Sequence, residues 1–176
     1  AHNSWDPHLK RPVEEYLQEA LDKGWQFITP KPGKDPRLVI NMGGSFLRRS
    51  RATSQIIRTL LPKLKMLLTV DFRWNSTALY SDYVLPASGW FEKYQYILSK
   101  VEFPYAFVIN KAVEPLHESK GEWEIWCLVA KRIQERARQR GILTFAGADG
   151  TQRRLDNLYD RVTINGTYSE EDEEAV

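Results

Sequence analysis

Apolar side chains recur at helical spacing near the start of the chain, where Val13, Tyr16, Leu17, Ala20 and Leu21 fall on one face. Pro12 suits a first helical position and Gly24 a left-handed stop, so the pattern predicts a helix over 12–23. Residues 30–36 hold Pro30, Pro32, Gly33 and Pro36 and read as a loop. The period then changes. Leu38-Val39-Ile40 is a short run apolar on both faces, as expected of a strand inside a parallel sheet. A turn at Met42-Gly43-Gly44-Ser45 leads through Arg48-Arg49-Ser50-Arg51 into a helix over 52–61 carrying Ile56, Ile57, Leu60 and Leu61, which Pro62 disturbs or ends. Residues 65–70 read as the next strand. Strand, glycine turn, helix, strand makes one right-handed βαβ unit.

Tyr83-Val84-Leu85 reads as a further short strand, closed by Pro86, and residues 106–110 as an extended run. Ser119-Lys120-Gly121-Glu122 has capping-box spacing. It opens a long helix with Trp126, Val129, Ala130, Ile133 and Ala137 on one face and Gly141 at its end. From Gly147 the chain is polar, with one short element expected at 155–159. The fold class is therefore α/β, a short mostly parallel sheet with flanking helices. Its expected core is Leu38, Ile40, Ile56, Leu60, Leu68, Val70, Val84, Trp126, Val129 and Ile133. Three segments follow: an N-terminal helix and linker at 1–36, a dinucleotide-binding-like unit at 37–141, and a polar segment with an acidic tail at 142–176.

At 176 residues the chain can form one domain or belong to something larger. Its 42% hydrophobic and 27% charged residues suit a folded protein, and a net charge of +2 gives no argument for nucleic acid. The run Glu170-Glu171-Asp172-Glu173-Glu174 masks a basic middle, which reads as a solvated surface before it reads as an anion site. The one cysteine, Cys127, excludes an internal disulfide and a cysteine-cluster metal site built from this chain alone. Within an apolar helical pattern it reads as a buried structural thiol. No apolar run approaches the ~20 residues that span a bilayer, so no direct membrane insertion is expected, and no targeting signal is visible. The opening Ala1-His2-Asn3-Ser4 and the charged end read as cuts from a longer polypeptide.

Candidate chemistry centres on Asp71, at the carboxyl end of an apolar strand, with Asn75, Ser76 and Thr77 opening the turn that follows. In open α/β sheets ligands sit outside strand ends, where a carboxylate and free backbone amides converge. Asp71 there either accepts hydrogen bonds from a guanine edge or ribose hydroxyls, or caps the next turn. The trio 75–77 either meets a ligand or supplies an ordinary N-cap. Gly43 and Gly44 let backbone approach a pyrophosphate, although two glycines fall short of a dinucleotide fingerprint. Arg48, Arg49 and Arg51 suit phosphate oxygens or a partner as well as a solvated helix entrance. Asp82 reads as structural, accepting backbone amides. Trp90, Glu92 and Lys93 read as a surface pair beside a packed tryptophan. His2, His8 and His117 share no metal spacing, and no catalytic residue or metal ligand is assigned.

The segment 67–86, LLTVDFRWNSTALYSDYVLP, closely resembles part of the molybdopterin oxidoreductases of the dimethyl sulfoxide reductase family. It is most similar to the branch of nitrate, selenate and perchlorate reductases and ethylbenzene dehydrogenase-like enzymes. The likeness continues through Trp90-Phe91-Glu92-Lys93, Lys111-Ala112-Val113-Glu114-Pro115 and Glu122-Trp123-Glu124-Ile125. It covers residues 38–131 and, more weakly, 155–174. The resemblance implies part of a larger fold whose two α/β domains cradle a pair of molybdopterin guanine dinucleotides. It places Asp71, Asn75, Ser76 and Thr77 at the nucleotide part of one cofactor, and Gly43 and Gly44 at a second cofactor-facing loop. It implies a fragment of a molybdenum oxidoreductase catalytic subunit, active on a small substrate only as the complete enzyme and inactive alone. The molybdenum ligand and any iron–sulfur cluster then lie outside this chain. Implied partners are the remaining domains and an iron–sulfur electron-transfer subunit, in the periplasm or a membrane-associated complex. The alternative is a self-standing nucleotide-binding or interaction module without catalysis.

Overall fold

The computed structural model describes residues 8–26, 35–98, 105–147 and 149–175; His2 and residues 30–34 of the expected loop lie outside them. The elements begin with α1 (Val13–Asp22), β1 (Leu38–Met42), α2 (Phe46–Arg49), α3 (Thr53–Gln55), β2 (Met66–Asp71) and β3 (Tyr83–Pro86). They continue with β4 (Gln95–Leu98), β5 (Ala106–Ile109), α4 (Glu122–Arg140), β6 (Thr144–Ala146), β7 (Gln152–Arg154) and α5 (Leu158–Val162). The chain divides into two compact units, Ala1–Val39 with Ala52–Met66, and Ile40–Arg51 with Leu67–Val176.

In the first unit, Pro12 stands one position before α1, as its N-cap residue, and Gly24 takes the expected left-handed conformation at φ +67°. The regular helix expected over 52–61 is not regular. α3 widens into a π-helical turn at Ile56–Leu60 and tightens into a 3-10 turn at Leu61–Lys63. Pro62 has no N–H to donate and its ring crowds the preceding turn, so the α-helical ladder cannot run through it.

A three-stranded parallel sheet runs in the order β1-β2-β3, with Leu68 opposite Tyr83 and Asp71 opposite Pro86. Leu67, Leu68, Thr69, Val70 and Asp71 of the central strand are all buried. β1 departs from the expectation of apolar cover on both faces. Its Leu38 and Ile40 are 48% and 42% exposed, while Asn41 is buried. The reason is position: β1 is the edge of the sheet, and only one of its faces is covered. The core is Leu68, Val70, Ala87 and Ile125, with Leu85 and Trp126 packed against it.

α4 buries Ile125, Cys127, Ala130, Gln134 and Ala137, a face rotated from the expected one, and Ile133 is exposed. A second contact surface causes the rotation. α5 and the C-terminal segment pack on this helix, with the Tyr159 amide donating to Gln134 Oε1 at 2.8 Å and Trp123 Nε1 donating to the Ser169 carbonyl at 2.9 Å. Ser119 does not cap α4; it donates to the Leu116 carbonyl, and Gly121 occupies the N-cap position. Gly141 ends the helix at φ +67° as expected. Two antiparallel pairs, β4 with β5 and β6 with β7, were not anticipated beyond the extended run at 106–110. The acidic run folds back as well: Glu170 pairs with Lys131 Nζ at 2.5 Å and accepts from the Tyr159 hydroxyl. Those two donors hold its carboxyl at a pKa of about 2.

Candidate functional site

Two loops leave the carboxyl ends of β1 and β2 side by side. The Gly43 amide donates to the Val70 carbonyl at 3.1 Å, which carries the sheet ladder one residue past β1. The chain then turns through φ +61° at Gly43, a conformation that favours glycine. Between this turn and residues 72–76 lies a cleft of about 580 Å3. Of the six residues named from the sequence, Gly43, Gly44, Asp71, Asn75 and Ser76 line it, together with Ser45, Arg48, Arg49, Phe72, Arg73 and Trp74. Thr77 lies beneath, fully buried.

Asp71 is 8% exposed, and its carboxylate closes the loop that follows. Oδ1 accepts the Arg73 amide at 3.1 Å and Oδ2 accepts Asn75 Nδ2 at 2.7 Å. Asn75 is the capping residue: its Oδ1 accepts the amides of Thr77 at 2.9 Å and Ala78 at 3.1 Å, where a 3-10 turn begins at Ala78–Tyr80. An ionised carboxylate offers about four lone-pair sites, so these local bonds leave Asp71 acceptor capacity toward the cleft.

Below the cleft a layer of polar side chains joins the loops. Thr77 Oγ1 accepts the Leu47 amide at 3.2 Å and lies 3.2 Å from Ser45 Oγ, which in turn bonds Ser76 Oγ at 2.9 Å. Asn41 Nδ2 donates to the Gly44 carbonyl at 2.6 Å and reaches Thr69 Oγ1 at 3.5 Å. Thr69 Oγ1 bonds Ser81 Oγ at 2.7 Å, and Ser81 Oγ donates to the Thr77 carbonyl at 3.0 Å. Sequence reasoning passed over Asn41, Thr69 and Ser81. For Asn41 and Thr69 the signal was there, because a polar residue at an inward position of an apolar strand needs a partner.

The lining is cationic. Arg48, Arg49 and Arg73 face it against one carboxylate, and among the described residues none of the three forms an ion pair. The Arg49 guanidinium lies across Gly44, where an added Cβ would stand 3.7 Å from its carbon, an ordinary contact. Arg73 sits over the Phe72 ring, 4.7 Å from the centroid, and Trp74 is 69% exposed. Arg51 is exposed and does not line the cleft. Such walls suit a ligand with an anionic end and a planar face.

The remaining candidates have other roles. Asp82 accepts the Leu67 amide at 2.7 Å through Oδ2 and donates its own amide to the Leu67 carbonyl at 2.9 Å, fixing the entry to β2. Glu92 accepts the Gly89 amide rather than pairing with Lys93. Lys93 is buried and binds both oxygens of Glu122, at 2.7 and 2.5 Å, so the expected surface pair is a half-buried tie to α4; Trp90 is 53% exposed. Cys127 is fully buried, and desolvation followed by the nearby Glu170 charge pushes its thiol pKa up. His117 sits in a loop at φ 53°. Among the described residues no group of three metal-ligating side chains comes together.

The family model described as Molybdopterin oxidoreductase matches residues 17–132, more than half of the chain. The chain is similar to the perchlorate reductase subunit alpha of Dechloromonas aromatica, 32% identical over 90% of this chain and 17% of the relative. It is similar to the respiratory nitrate reductase subunit alpha of Haloferax mediterranei, 34% identical over 72% of this chain and 13% of that protein. With the dimethylsulfide dehydrogenase subunit alpha of Rhodovulum sulfidophilum the identity is 31%, over 88% of this chain and 16% of that one. The chain thus spans between 13% and 17% of the length of these curated relatives.

Proposed function

Since the chain belongs to the molybdopterin oxidoreductase family, we propose that its cleft holds the nucleotide part of a molybdopterin guanine dinucleotide, within a catalytic subunit that carries out redox chemistry on a small substrate. One observation carries the reading: a strand-end carboxylate, a glycine turn and three arginines converge on one cleft. The donor set fits the group. Asp71 accepts from the N–H edge of guanine, Gly43 and Gly44 leave room for a pyrophosphate close to backbone, and the Arg48 and Arg49 guanidiniums match its oxygens. Asn75 and Ser76 complete the wall and Thr77 braces it from below. When bound, the group supplies the electron transfer through its molybdenum; the residues of this chain bind and orient its nucleotide end.

In this reading the molybdenum ligand and any iron–sulfur cluster come from other parts of the polypeptide, and an iron–sulfur electron-transfer subunit is the partner. The relatives are named as alpha subunits, which supports an assembly of several chains. A periplasmic or membrane-associated setting is proposed with it. No helix among the described residues is long and apolar enough to cross a membrane.

The test is cofactor retention. The complete subunit is purified as wild type, Arg49→Gln and Arg51→Gln, and guanosine monophosphate released by acid hydrolysis is counted per subunit. Loss of a charge-assisted phosphate contact, about 1.5–3 kcal/mol, should weaken retention roughly tenfold or more in Arg49→Gln. Arg51→Gln, outside the cleft, should match wild type. Equal nucleotide content in all three would remove the cleft from the cofactor site.

A further inference from the structure

We propose that Trp74 is the stacking platform of this cleft, its indole taking the planar base of the nucleotide whose phosphates meet Arg48 and Arg49. The inference rests on the nucleotide reading above and adds to it the residue that selects a base over a bare phosphate. Its origin is local geometry. Asp71 holds both ends of the loop, through the Arg73 amide and the Asn75 side chain, so residues 72–74 leave the carboxyl end of β2 and line the cleft. The Phe72 ring is occupied by the Arg73 guanidinium at 4.7 Å. Trp74 is 69% exposed, and among the described residues no cation lies over its ring.

An indole is a large apolar surface to leave in water, and this one borders a wall of guanidiniums beside a single carboxylate. That combination matches a ligand with an anionic end, a π face and an edge of N–H donors. Inorganic phosphate uses only the first of these. Every nucleobase presents a π face, and base–aromatic stacking contributes a factor of roughly ten or more in affinity per base.

The experiment titrates the full chain, as wild type, Trp74→Ala and Trp74→Phe, with two probes: guanosine diphosphate and inorganic pyrophosphate. Guanosine diphosphate should bind Trp74→Ala about tenfold more weakly than wild type and Trp74→Phe within about threefold. Pyrophosphate should bind all three alike. Unchanged guanosine diphosphate binding in Trp74→Ala overturns the stacking role and leaves the nucleotide reading standing. Parallel loss of both probes in Trp74→Ala makes Trp74 a determinant of loop shape and overturns it too. A wild-type chain that binds neither probe defeats the nucleotide reading and this assignment with it.

Discussion

Replacing Asp71 by Asn changes the hydrogen-bonding sense of one side chain and almost nothing of its volume, so its effect can be reasoned atom by atom. Asp71 accepts twice, from the Arg73 amide at 3.1 Å and from Asn75 Nδ2 at 2.7 Å. The substituted side chain keeps one acceptor and gains an NH2 group. If its oxygen stays on Arg73, its nitrogen meets the Asn75 nitrogen, donor against donor. Asn75 cannot turn over to help, because its Oδ1 holds the amides of Thr77 and Ala78. One charge-assisted bond of about 1.5–3 kcal/mol is lost at a site only 8% exposed, so Asp71→Asn should destabilise the fold by about 2–3 kcal/mol. Asn75→Asp should be as costly, since it sets two carboxylates face to face. The double variant Asp71→Asn/Asn75→Asp restores a donor opposite an acceptor: the side-chain amide introduced at position 71 donates to the carboxylate introduced at position 75, whose other oxygen still caps the turn. Urea unfolding of the four proteins at neutral pH gives the coupling, expected at about 2 kcal/mol or more. Strict additivity of the two single changes, or an Asp71→Asn midpoint equal to wild type, would refute the loop-closing role.

Two further predictions come from groups outside the loop. Thr77→Val keeps the shape of a fully buried side chain but removes the hydroxyl that accepts the Leu47 amide and bonds Ser45 Oγ; it should cost about 1–3 kcal/mol in urea unfolding, with Thr77→Ser close to wild type, and a neutral Thr77→Val would mean the tie lies elsewhere. The C-terminal segment should dock most firmly in mildly acidic solution. Desolvation, then the charges of Glu122 and Glu124, raises the Glu173 pKa above 4.5 against the pull of the Tyr94 amide and Lys93, so its contribution is present at low pH and lost as pH rises through the raised value. Glu170, held at about 2, contributes above 4.5 and loses that contribution as pH falls toward 2. Hydrogen-exchange protection of residues 168–175 should therefore decline on both sides. If Glu173→Gln leaves the high-pH decline intact, Glu173 is not its source.

Much of the sheet was legible because its signals are local. Apolar runs ending in Met42-Gly43-Gly44 and in Asp71 mark strand ends, and Gly24 and Gly141 mark helix stops by their freedom at positive φ. What failed was set by neighbours far along the chain. Leu38 and Ile40 have the composition of a central strand, but sheet order makes β1 an edge, and order is not written within β1. α4 carries apolar residues on two adjoining faces, and only the docking of α5 and Ser169 decides that Gln134 is buried while Ile133 is not. The acidic run read as a tail because its charges were counted without Lys131 and Tyr159, which lie 39 and 11 residues from Glu170.

For Asp71 the sequence posed a choice between a turn cap and a ligand contact, and the geometry removes the opposition between them. The carboxylate makes two local bonds out of roughly four its lone pairs allow. Those bonds fix the direction of the group at the cleft wall. A ligand meeting a carboxylate already held in place does not have to order it, and the saved entropy appears as affinity. The polar layer beneath acts in the same sense, because Thr77 ties its turn to Ser45 and the Leu47 amide while Asn41 holds the Gly44 carbonyl. In the proposed site Asp71 meets the ligand and Thr77 braces the loop. Asp71→Asn/Asn75→Asp should recover the fold while leaving the carboxylate at the wrong position, so its stability and its nucleotide binding should part company. Recovery of both together would mean that the proposed binding role belongs to the shape of the loop rather than to the carboxylate at position 71.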